Sequence, residues 1–148
     1  MRVCRRGDRN WHPGAVISVL GDLGAVEVNL LSDAVVLAEP GASLGEVTAW
    51  QVPRLVGQDV SCVVVCPGLA DLLAGHDESR VHAEVVALCD ALARVARQGS
   101  LVFRGFPQLS GRGEEVRLID AAARVTCELR GISWQPYGGR GDTGAGQA

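Results

Sequence analysis

One stretch constrains this chain more than any other: Val60 to Cys66, read as Val-Ser-Cys-Val-Val-Val-Cys and closed by Pro67-Gly68. The run is too short for a buried helix and rich in β-branched residues. It therefore predicts a strand covered on both faces, as inside a parallel sheet. Pro67-Gly68 stops it, and Leu69 to Ala74 reads as the first turns of a short helix. A central strand that ends in a glycine turn at a helix start is where open α/β sheets place their ligands. The site is expected there.

The rest of the chain alternates in the same way. Arg2 to Arg6 reads as a short first strand ending in Gly7-Asp8-Arg9, and Pro13 opens a helix whose apolar residues recur through Val16, Val19, Leu20, Leu23, Val26 and Leu30. Ala34 to Ala38 predicts a second buried strand, and Ser43 with Glu46 forms a capping-box pattern for a helix reaching about Gln51. Val81 to Gln98 is the strongest helix, with Val81, Val85, Leu88, Leu92 and Val95 on one face and Gly99 closing it. Leu101 to Phe106, Glu114 to Leu129 and Ile132 to Trp134 follow as strand, helix and strand. Such alternation implies βαβ units, hence a three-layer α/β sandwich around a five-stranded, mainly parallel sheet in flavodoxin-like order.

Composition narrows the function classes. A chain of 148 residues fits one domain, taken as residues 1–137, and the glycine-rich segment 138–148 is expected to be disordered. The net charge of −3 gives no basic surface for nucleic acid, and no apolar run reaches the ~18 residues of a membrane span. A cytoplasmic protein without cofactor or metal is the expectation. The five cysteines lack a Cys-x-x-Cys pair and read as buried reduced thiols. The oligomeric state is left open.

The Val60 to Cys66 run with Gly68-Leu69-Ala70-Asp71 resembles the third conserved block of the SGNH, or GDSL-type, hydrolases, a hydrophobic strand followed by Gly-x-Asn-Asp. Leu37 to Leu44 and Gln51-Val-Pro-Arg-Leu55 look like the second block, whose glycine would be Gly41. For the first block, Gly-Asp-Ser, two registers compete: Gly7-Asp8-Arg9, or Gly21-Asp22-Leu23 after a strand from Ala15 to Leu20. Spacing favours the first, because the distance from Arg9 to Gly41 leaves room for a crossover helix and a second strand.

The resemblance implies a serine nucleophile, a late Asp-x-x-His and an oxyanion hole. In either register the serine is replaced, by Arg9 or Leu23; Ala70 stands for the oxyanion asparagine, and no histidine follows His82. The expected function is therefore a non-hydrolytic binding or accessory module on this scaffold. One alternative is an active esterase or acyl hydrolase using Asp71, His76 or Cys66. Another is an unrelated flavodoxin-like interaction domain. Expected ligand-binding residues are Asp8, Arg9, Gly41, Gly68, Ala70 and Asp71, around a small anionic or acyl ligand. An anion would be anchored by Arg9 and by the Gly41 and Gly68 backbone N–H groups. Asp71 also fits a simpler role, capping the helix after Gly68.

Overall fold

The computed structural model describes residues 16–31, 34–58, 61–96 and 100–138. Five strands alternate with helices: β1 (Ile17–Gly21), α1 (Val28–Leu31), β2 (Ala34–Val36), α2 (Leu44–Glu46), β3 (Cys62–Cys66), α3 (Ala70–Leu73), α4 (Glu78–Val95), β4 (Ser100–Arg104), α5 (Gly113–Leu129) and β5 (Ser133–Gln135). A 3₁₀ turn, Leu23–Ala25, follows β1, and α2 continues as a π turn, Val47–Gln51, and a 3₁₀ turn, Val52–Leu55. The sheet order is β2-β1-β3-β4-β5 with every pair parallel, the flavodoxin-like order expected.

β3 is central and every residue in it is buried. Its side chains divide between two apolar layers, as the two-residue period of a strand requires. Val63 and Val65 join Leu20, Leu101 and Phe103 beneath α4 and α5, in the larger cluster. Cys62, Val64 and Cys66 face the other way, with Ile17, Val19 and Val102, against Ala25, Val26 and Leu30. The periodic face of α4 (Val81, Val85, Leu88, Leu92) is fully buried, and Asp77 caps the helix by accepting from the Arg80 N–H at 2.9 Å. The Ser43–Glu46 capping box is formed in both directions, at 3.1 and 2.8 Å.

Three expectations are corrected. The helix from Pro13 to Leu31 is instead β1 followed by a 3₁₀ turn and the single turn of α1. Ile17 to Gly21 is buried on both faces, so strand pairing with β3 outweighs a helical pattern already weakened by Gly21 and Gly24. The spacing argument failed because the crossover to β2 is made with one short helix. Ala34 to Ala38 is not a buried strand: β2 is the sheet edge, with Val35 39% and Val36 37% exposed. Among the thiols, Cys66, Cys89 and Cys127 are free and buried, whereas Cys62 is disulfide-bonded. Arg2 to Arg6, Asp8, Arg9, His12 and the tail from residue 139 lie outside the described residues.

Candidate functional site

The site is built where β1 and β3 end side by side. Gly21 closes β1 at φ +119°, and a Cβ there would lie 2.0 Å from the Cys66 carbonyl oxygen, so a side chain is excluded by conformation and by space. The Gln51 side chain holds this residue from the other side. Its Oε1 accepts from the Gly21 N–H at 2.7 Å and its Nε2 donates to the Gly21 carbonyl at 3.0 Å. Gln51 is itself buried, so one amide side chain satisfies both backbone groups, and they in turn satisfy it.

Asp22 follows, and it organises the mouth. Its N–H donates to the Cys66 carbonyl at 3.0 Å, and the Leu23 N–H to the Glu39 carbonyl at 3.0 Å. The Asp22 Oδ1 accepts from the Gly24 N–H and from the Gly41 N–H, each at 2.9 Å. Gly68 packs against the same carboxylate so closely that a Cβ there would lie 2.1 Å from Oδ2. One acidic side chain thus ties together the turns after β1, β2 and β3.

Beside it opens a cleft of about 380 Å³, lined by Asp22, Gly24, Ala25, Gly41, Gly68, Leu69, Ala70, Leu73, Pro107 and Tyr137. Apart from Asp22 and Tyr137, its side chains are aliphatic, prolyl or absent. Small-molecule sites are commonly mostly apolar with a few placed polar groups.

Of the ligand-binding residues expected from sequence, Gly41, Gly68 and Ala70 converge on this cleft, while Asp8 and Arg9 lie outside the described residues. The Gly41 N–H is not a free donor, because Asp22 accepts from it. Asp71, His76 and Cys66 are not among the cleft walls. Asp71 is buried, and it caps a different helix from the one expected. Its Oδ2 accepts from the N–H of Leu44, the first residue of α2, at 3.0 Å, while α3 itself carries no side-chain cap among the described residues. Burial pushes the Asp71 carboxyl above its ordinary range, partly offset by the Leu44 N–H and raised further by Glu84. His76 turns to Asp71 and Glu84, and His82 Nε2 lies 3.2 Å from Thr126 Oγ1 between α4 and α5. Burial pushes the Cys66 thiol up to about 12, with Arg104 opposing, which leaves no thiolate at neutral pH.

Two residues carry more of the site than sequence reading assigned them. Asp22 stood only in the less favoured register, although Gly21-Asp22 follows the more apolar of the two candidate strands. Gln51 is the second. A polar residue between Trp50 and Val52, just before Pro53, was the available signal.

No family model and no curated protein matches the sequence. Solved structures do. The chain is similar to a lipolytic protein of the G-D-S-L family from Veillonella parvula, at 15% identity and a TM-score of 0.64, covering 81% of this chain and 76% of that one. It is similar to the psychrotrophic esterase EstA from a Pseudoalteromonas species, at 16% identity and a TM-score of 0.63, covering 82% and 76%. It is also similar to AlinE4, an SGNH-hydrolase family esterase, at 17% identity and a TM-score of 0.60, covering 84% and 76%. The chain has the SGNH-hydrolase fold, a five-stranded parallel sheet between helical layers.

Proposed function

We propose that this is a binding module on the SGNH-hydrolase scaffold, holding an uncharged acyl chain in the cleft without hydrolysing it. The observation that carries the reading is the bond from the Gly41 N–H to Asp22. By the resemblance, Gly41 supplies a backbone donor to the oxyanion that develops in acyl transfer. Here a carboxylate of the chain already accepts from that donor, and a second negative oxygen beside it would be repelled.

The surrounding residues support the same reading. With β1 at Ile17–Gly21, the position after Gly-Asp is Leu23, which has no nucleophilic atom. Ala70 stands where an asparagine would donate, and neither described histidine lines the cleft. Asp22 also disfavours a carboxylate or phosphate at the mouth, whereas Leu69, Leu73 and Pro107 suit an aliphatic chain. The esterase and lipolytic names of the similar structures fit a cleft shaped for acyl groups.

Short-chain p-nitrophenyl esters test the hydrolytic half. The expected rate is that of a matched inert protein. A rate that follows the protein through purification and vanishes in Asp71→Ala or His76→Ala would overturn the reading. Loss of the nucleophile or base alone costs several orders of magnitude in hydrolases of this type, so Leu23→Ser is expected to restore little.

A further inference from the structure

We infer that Asp71, His76 and Glu84 form a binding site for a divalent transition-metal ion of the zinc type. Asp71 lies in α3, His76 in the turn after it and Glu84 in α4, and one ligand atom from each lies within 4.8 Å of the others. His76 Nδ1 stands 3.3 Å from Glu84 Oε1 and 3.5 Å from Asp71 Oδ1. Ligands at the usual zinc distances of about 2.0–2.2 Å occupy corners of a tetrahedron about 3.3–3.6 Å apart. The two distances match those edges.

An independent observation points to a ligand. The Asp71 side chain is only 4% exposed, and its Oδ1 is buried with no hydrogen-bond partner among the described residues while aimed at His76 and Glu84. A buried carboxylate oxygen without a donor is costly, and a second carboxylate beside it adds repulsion. A divalent cation would balance both carboxylates and leave the imidazole neutral, with Nδ1 as ligand and the proton on Nε2. Arg80 approaches Glu84 through the other oxygen, Oε2, at 3.8 Å from an exposed position, so Oε1 stays available. His76 and Glu84 keep 17% and 22% of their side chains exposed, giving a path to solvent and room for a water as fourth ligand. The ion would tie α3, which supplies the cleft walls Ala70 and Leu73, to α4.

Titration of untagged, chelator-treated protein with Co²⁺ and then Zn²⁺ tests this. The expected result is a visible d–d absorption of tetrahedral type, a single zinc ion bound per chain, and a raised melting midpoint. His76→Ala and Glu84→Gln change partly exposed positions and are expected to weaken zinc binding at least about tenfold while keeping the fold. His76→Gln serves as a second variant should His76→Ala not fold. No cobalt absorption with folded wild-type protein, or zinc affinity unchanged in these variants, would overturn the site.

Discussion

The Asp22 carboxylate accepts a hydrogen bond from the Gly41 backbone N–H at 2.9 Å, across 19 residues of sequence. The same oxygen accepts from Gly24, and the other rests against Gly68. Removing this group should therefore act on three turns at once. Asp22→Ala is expected to cost roughly 1.5–3 kcal/mol, the range for hydrogen bonds to a charged group. Asp22→Asn, which keeps an acceptor, should cost less. Urea unfolding of the two variants checks the order, and equal losses would deny the carboxylate its role.

Gln51 has a sharper dependence on chemistry than on shape. Gln51→Leu keeps the volume but leaves the Gly21 N–H without its buried acceptor, and is expected to lose about 1–3 kcal/mol. Gln51→Glu keeps the acceptor but turns the donor to the Gly21 carbonyl into a second acceptor, so it should be no better. A Gln51→Leu protein as stable as wild type would show that the amide is not needed.

Asp120, in α5, gives a pH signature. Burial raises its carboxyl to about 6, only partly opposed by the Phe106 N–H that donates to it at 2.9 Å. Between about pH 4 and pH 6 the unfolded chain has released this proton while the folded chain still holds it. Stability attributable to Asp120 therefore falls as pH rises through that window, and the penalty is complete above it. Asp120→Asn keeps an acceptor for Phe106 and removes the titration. The melting point of the variant relative to wild type should rise from pH 4 to pH 6 and then level, whereas a flat difference would contradict the shift.

The central layer of the fold was legible because burial on both faces leaves a plain record. Val60 to Cys66 could be little else than an inner strand, and the periodic faces of α4 and α5 were equally direct. β1 stood only in the less favoured register, since Ile17 to Leu20 shares its spacing with a helix started by Pro13. Only the partner strand, which sequence does not display, decides between them. Gly41, Gly68 and Ala70 were named by resemblance to a known layout, and the strand ends bring all three to the cleft walls. Asp22 and Gln51 were undervalued because their partners are backbone groups far away in sequence. Asp71 was expected among the ligand-binding residues, yet it is buried away from the cleft walls and accepts from Leu44, the first residue of another helix.

The most direct test is one NMR titration of ¹⁵N-labelled protein with a short, uncharged acyl ester, followed for days in the same tube. The account predicts saturating amide shifts at Gly24, Gly68, Ala70 and Leu73, which line the cleft, with the ester signals unchanged beside a protein-free control. Free carboxylic acid appearing at a rate proportional to protein would contradict it, as would an absence of shifts at those residues.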